Sequence, residues 1–225
     1  MPRLPLVVVL LAVAAAPAAA QVAFDCHGAR VTTREQLLQA LDIHQGGVAG
    51  AELRLAALAR SGQPVVGWAL EIAVDTGAAL ELRAAALQVL RLARWKAAMP
   101  ELMRLAQPLR GPWVVWRGAL SALSSYPYAE LTPYWLDLIR YPRRVVREDA
   151  LRGLSMSGDT RVLPMVREAT RHEEDAAMLA LVAEVEARLS IVPALRDTLT
   201  FGWPPDSIGG RFVPSRSHVE RVGCR

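Results

Sequence analysis

Residues 83–100 read RAAALQVLRLARWKAAMP, residues 116–133 read WRGALSALSSYPYAELTP, and residues 147–164 read REDALRGLSMSGDTRVLP. The three stretches share an Ala-Leu pair, a further Leu and a closing Pro: Ala86-Leu87, Leu90 and Pro100; Ala119-Leu120, Leu123 and Pro133; Ala150-Leu151, Leu154 and Pro164. In each copy the Pro falls 14 residues after the Ala, and the copies are 33 and then 31 residues apart. A fixed period in this range marks a stacked-repeat architecture and takes precedence over any other argument about fold.

The spacing inside one copy predicts a pair of helices. Ala86, Val89 and Ala93, with Leu87 and Leu90, recur at three- and four-residue steps, which makes one side of a helix apolar. After Trp95 the pattern restarts with Met99, Leu102, Met103, Leu105 and Ala106. Pro100 sits near the start of this second helix, where its missing N–H is harmless and its fixed φ suits the first turn. A lone helix pair cannot bury both apolar stripes, but stacked pairs can.

The pattern resembles HEAT-like repeats, most closely the short version of phycobilisome lyases. The residues that carry the resemblance are Val146-Arg147-Glu148-Asp149-Ala150-Leu151, Leu154, Gly158-Asp159 and Val162-Leu163-Pro164-Met165-Val166. Arg54-Leu55-Ala56-Ala57-Leu58 and Arg83-Ala84-Ala85-Ala86-Leu87 repeat its Arg-x-x-Ala-Leu start, and Leu179-Ala180-Leu181 looks like a degenerate last copy. The copy around Ala119 departs from it: Arg117 lies one residue late, and Pro127-Tyr128 stands in the Gly-Asp position. The resemblance covers residues 50–190 and implies an all-α chain, an α-solenoid of about five stacked antiparallel helix pairs. It implies little about activity, because function resides in sites grafted on a fold.

The two ends of the chain read differently. Residues 1–20 have a basic start at Arg3, an apolar run from Leu4 to Ala16, a break at Pro17 and the small residues Ala18-Ala19-Ala20. This order is that of a secretory signal peptide cleaved before Gln21. The run is too short and too Pro-interrupted for a comfortable membrane span, and no later stretch is long and apolar enough for one. Residues 21–190 are then the HEAT-like solenoid. Residues 191–225 are broken by Pro193, Gly202, Pro204, Pro205, Gly209-Gly210 and Pro214, with apolar anchors in Phe201, Trp203 and Phe212. They read as an irregular C-terminal arm that packs along the solenoid.

Within the helical part, Thr32 and Glu35 form a capping box for a first helix that carries Leu37, Leu38, Leu41 and Ile43 and stops at Gly46-Gly47. A second helix is expected over 49–61 and a third from Pro64 to Gly77. The last is expected over 173–190, with Ala177, Ala180, Leu181, Val185 and Leu189 on its inner side.

Charge excludes little. The formal net charge is +4, falling to +3 without Arg3, and Lys96 is the only lysine. Arginine alternates with Asp and Glu, whereas nucleic-acid binders cluster their charge. The nearest cluster, Arg140, Arg143, Arg144 and Arg147, is diluted by Glu148 and Asp149.

No catalytic, cofactor-binding or metal-binding set stands out. No Gly-x-Ser-x-Gly elbow, phosphate loop or His-Glu-x-x-His is present. The His172-Glu173 pair resembles those of the HEAT-like deoxyhypusine hydroxylases. The equivalent positions Pro108-Leu109 and Tyr141-Pro142 lack it, so the pair reads as a helix start with Glu173, Glu174 and Asp175 at the positive dipole end. Cys26 and Cys224 lie at opposite ends of the chain and, after export, read as a disulfide. The alternatives are an intermolecular bridge or free thiols. With His27 and His218 the two cysteines also make a weak Cys₂His₂ zinc candidate. The stretch 191–223 spans roughly 110 Å when extended, enough to return along the stack. Trp68, Trp95, Trp116 and Trp135 read as packing residues, and Trp203 is the better candidate for an outside contact.

In HEAT arrays the second helix of each pair lines the concave side. By that resemblance the candidate partner-binding face carries Gln88 and Arg91, then Arg117, Ser121 and Ser124, then Arg152, flanked by Ala84, Glu148 and Ser155. Such short polar groups with scattered Arg suit a protein segment and lack the aromatic and basic density of a nucleic-acid groove. The functional expectation is a non-catalytic, exported scaffold that binds a protein partner in the envelope of a Gram-negative bacterium, periplasmic or secreted. The alternatives are a lyase-like enzyme accessory acting on a client protein, and a polyanion or nucleic-acid binder like the HEAT-like alkylpurine DNA glycosylases.

Overall fold

Each of the three central copies folds as a long helix, a single 3₁₀ turn and a shorter helix with Pro in its first turn. The computed structural model describes residue 22 and residues 24–25, 28–42, 47–107 and 111–190. The leader, Cys26, His27, Ile43, Gly46, Pro108-Leu109 and the arm with Trp203, His218 and Cys224 lie outside the described residues.

The described residues form ten α-helices: α1 (Arg34–Ala40), α2 (Gly47–Arg60), α3 (Gln63–Val74), α4 (Leu80–Ala93), α5 (Met99–Leu105), α6 (Trp113–Leu123), α7 (Thr132–Leu138), α8 (Arg144–Ser157), α9 (Leu163–Thr170) and α10 (Ala176–Ser190). The chain is helical, as its periodicity predicts. A two-residue antiparallel ladder, β1 (Phe24–Asp25) with β2 (Gly28–Ala29), precedes them. It is tied to α2 through Ser61, whose Oγ accepts from the Ala29 N–H at 2.8 Å and donates to the Ala57 carbonyl at 2.9 Å.

The three copies repeat the same order of elements. Turns at Lys96–Ala98, Ala129–Leu131 and Thr160–Val162 lead into α5, α7 and α9, where Pro100, Pro133 and Pro164 occupy the first turn. The repeat residues Ala86, Leu87, Leu90, Ala119, Leu120, Leu123, Ala150, Leu151 and Leu154 are all fully buried. Helix α4 packs on α3 and α6, α6 on α5 and α8, and α8 on α7 and α10. One continuous apolar core therefore runs from Ala29 to Leu189. Trp116 and Trp135 are buried in it, and Trp68 and Trp95 pack against it half-buried.

Three local expectations need correction. The N-cap of α1 is Thr33, not Thr32: Thr33 Oγ1 accepts from the Gln36 N–H at 3.2 Å, and Gln36 Oε1 reaches back to the Thr32 N–H at 2.8 Å. The box is thus shifted by one residue, with Gln36 in the role given to Glu35, and α1 ends at Ala40. Helix α10 begins at Ala176, because Asp175 Oδ1 accepts from the N–H groups of Ala177 and Met178 at 2.9 and 3.1 Å and caps it. Its buried face is Met178, Val182, Val185 and Leu189, while Ala177 and Ala180 are exposed and Leu181 is half-buried. Glu173 and Glu174 precede the helix, and His172 is exposed beside Arg171.

The arginine that opens the repeat motif has a structural task. Arg83, buried, donates from Nε to the Ala73 carbonyl at the end of α3, at 3.0 Å. Arg147 likewise donates to the carbonyls of Tyr141 and Pro142, at 3.3 and 3.1 Å, and pairs with Glu173 at 2.9 Å. Arg83 satisfies a backbone acceptor left over at the end of α3, and Arg147 ties down the connection between α7 and α8. No helix of the described residues is long and apolar enough to cross a membrane.

Candidate functional site

In the middle copy the residue in the capping position is Trp116, which is buried, and the arginine is displaced to Arg117. One residue turns a helix by about 100°, so the guanidinium leaves the end of the preceding helix and faces sideways. There it forms an ion pair with Asp149 of α8. This pair lies in a groove of 410 Å³ that crosses the long helices α4, α6, α8 and α10. That volume falls in the usual range for ligand sites.

The groove collects most of the face anticipated by the repeat register. Arg91 of α4, Arg117 and Ser121 of α6, Ser124 at the end of α6, and Arg152 and Ser155 of α8 all line it. Gln88, half-buried on α4, and Glu148 on α8 do not. Ser124 is buried rather than presented, its hydroxyl turned back onto the Ser121 carbonyl at 2.9 Å. Trp203 lies outside the described residues, as do Cys26 and Cys224.

Sequence reasoning missed Arg94, Asp149 and Arg188, which also line the groove, together with Glu184. Arg94 had a signal. Eight residues on from each repeat alanine stand Arg94, Pro127 and Gly158. Gly158 ends α8 in the left-handed conformation at φ 67°, as glycine does at no steric cost. Arg94 ends α4 in the same region at φ 50°, and it is the one non-glycine among the described residues with positive φ. An arginine held where glycine belongs carries strain, and such strain concentrates at functional positions.

The end of α4 is capped by hydroxyls from the segment after α6. Tyr126 donates to the Leu90 carbonyl at 3.1 Å, Ser125 to that of Arg91 at 2.9 Å, and Tyr128 to that of Arg94 at 2.9 Å. These are the residues that break the repeat pattern around Pro127-Tyr128. Burial raises the Tyr126 hydroxyl well above its ordinary range, which keeps it a neutral donor.

Asp149 is the buried acid of the site. It pairs with Arg117 and with Arg152, whose Nη1 lies 3.4 Å from Oδ1. Burial nonetheless outweighs both guanidinium groups and pushes its carboxyl up to about 6. Burial also pulls the Arg94 guanidinium below its ordinary value; Tyr128 opposes this, and Arg91 adds to it. Arginine remains charged in either case.

The charge expected to be scattered is therefore concentrated: five arginines face two carboxylates around one groove. The sequence cluster at Arg144 and Arg147 is by contrast neutralised, by Glu148, Asp175 and Glu173 at 2.7–2.9 Å. Among the described residues no three His, Cys, Asp or Glu side chains come together as metal ligands. No protein-family model and no curated protein matches this chain.

Proposed function

We propose that this protein is an exported, non-catalytic HEAT-like scaffold, an α-solenoid of about five helix pairs that binds a protein partner in the bacterial cell envelope. The observation that carries the reading is the groove: four long helices, each packed on the next, contribute side chains to one polar channel. A repeat protein acquires an extended binding surface in this way, because equivalent positions of successive repeats fall side by side. The leader supports export, and an even cysteine count, Cys26 and Cys224, suits an oxidising compartment.

The test is photo-crosslinking in the native host. A photoreactive residue placed at Arg91, Ser121 or Arg152 is expected to give one discrete protein adduct, and one at Glu168, exposed on α9, none. Equal labelling from all four positions would overturn the proposal, as would turnover lost on changing one polar groove residue. The intact mass of the protein from that host is expected to start at Gln21, with no free thiol until reduction.

A further inference from the structure

We infer that the groove recognises an acidic peptide segment, whose side-chain carboxylates are taken by Arg91 and Arg188. This rests on the scaffold reading and specifies the partner's chemistry. Asp149 already engages Arg117 and Arg152. Arg91 and Arg188, both exposed, form no ion pair among the described residues. Arg94, in the left-handed conformation at the end of α4, adds a further positive charge to the same lining.

A planar guanidinium matches carboxylate and phosphate alike, so the remaining lining decides between them. Among the described residues no aromatic side chain lines the groove, so they offer nucleobases no stacking platform. Met156, Leu181 and Val185 supply an apolar wall on which the methylenes of Asp and Glu side chains can lie. Four helices contribute to the groove within 410 Å³, a volume that suits a few residues of extended chain rather than a folded surface.

The experiment is fluorescence anisotropy on the full chain, with a fluorescein-labelled hexapeptide of alternating Asp and Glu, a Ser-Gly hexapeptide of equal length, and pyrophosphate and single-stranded DNA as competitors. The acidic peptide is expected to bind, with affinity falling as salt rises. The double variant Arg91→Ala/Arg188→Ala, at exposed positions, is expected to weaken binding by about tenfold or more, with an unchanged melting curve. Arg94→Gly is expected to weaken binding while the fold holds. Indifference of binding to the double variant, equal binding of the Ser-Gly peptide, or tighter binding of pyrophosphate or DNA would overturn the inference. A groove filled by Ser121→Trp separates the two readings. If that variant abolishes the crosslinked adduct but no acidic peptide binds, the scaffold stands and the acidic specificity falls. If the adduct survives it, the scaffold reading itself falls.

Discussion

Gly153 is the residue on which the α7–α8 contact turns. A Cβ built there would lie 2.2 Å from Cε2 of Trp135 and 2.5 Å from Cδ2 and Nε1. Trp135 is fully buried and cannot retreat. Gly153→Ala is therefore expected to destabilise the protein by roughly 1–3 kcal/mol in urea denaturation, although alanine favours helix. Gly67, in the middle of α3, has no heavy atom within 4 Å of the same construction. Gly67→Ala is expected to stabilise by about 0.5–1 kcal/mol, and a loss at both sites would refute the steric account. Asp149 gives a pH test at the same scale. Its folded value of about 6 exceeds the ordinary 3.8, so the folded state binds more protons between those limits. Its contribution to stability is thus greatest below pH 4, falls as pH rises through the window, and levels off above 6. Glu173 and Asp175 are held below the usual carboxylate range, chiefly by backbone N–H groups, and slope the other way. The difference between wild type and Asp149→Asn isolates the Asp149 component. The variant is expected to lose less stability than wild type between pH 4.5 and 7, and parallel curves would exclude the burial argument.

At the scale of elements, α4 and α8 end at the same repeat position with different residues. Arg94→Gly relieves a left-handed arginine and is expected to raise stability by about 1 kcal/mol. Gly158→Ala introduces the same strain and is expected to lower it by about as much. Chemical denaturation of both variants checks the pair; equal signs would mean the strain is not what differs. The comparison also shows where the sequence was legible. The buried Ala-Leu and Leu positions and the prolines of the short helices follow from period alone, because one apolar stripe and a missing N–H constrain them locally. The cap of α1 slipped by one residue because Thr32 and Thr33 are chemically equivalent N-caps, and only the reach of Gln36 decides between them. The face of α10 slipped for a related reason: Asp175 fixes where the helix starts, and Ala177, Ala180 and Leu181 look as apolar as Met178 and Val182. In the groove, Arg91, Arg117, Ser121 and Arg152 were legible from repeat register. Asp149 read as a charge diluting its neighbours, since nothing local to α8 reveals that Arg117, on another helix, is its partner. Arg94 was visible only by asking which residue replaces the left-handed glycine.

For the whole molecule, the order of contacts makes a stronger claim than composition does. Helix α10 packs on α8 and α9, whereas α6 packs on α4, α5 and α8, so the two sit at the edge and in the middle of the same core. Leu189 of α10 and Leu120 of α6 are equally buried, and truncating either to Ala is expected to cost roughly 2–5 kcal/mol locally. In a globule with one cooperative core the two losses would spread alike. In the row of helices we propose, stability is close to a sum of repeat and nearest-neighbour terms. Leu189→Ala should then accelerate amide exchange in α9 and α10 and leave α3 and α4 protected. Leu120→Ala should accelerate it from α4 through α8, because α4, α5 and α8 all lose part of their interface with α6. Hydrogen exchange read by mass spectrometry resolves these segments. Uniform acceleration by both variants would show that the repeats have fused into one cooperative unit, and the solenoid reading, with the scaffold function built on it, would lose its physical basis. A graded response would also place the groove. It spans α4 to α10, so its α10 wall, with Arg188 and Val185, would open first, and acidic-peptide binding should weaken in Leu189→Ala before the rest of the molecule unfolds.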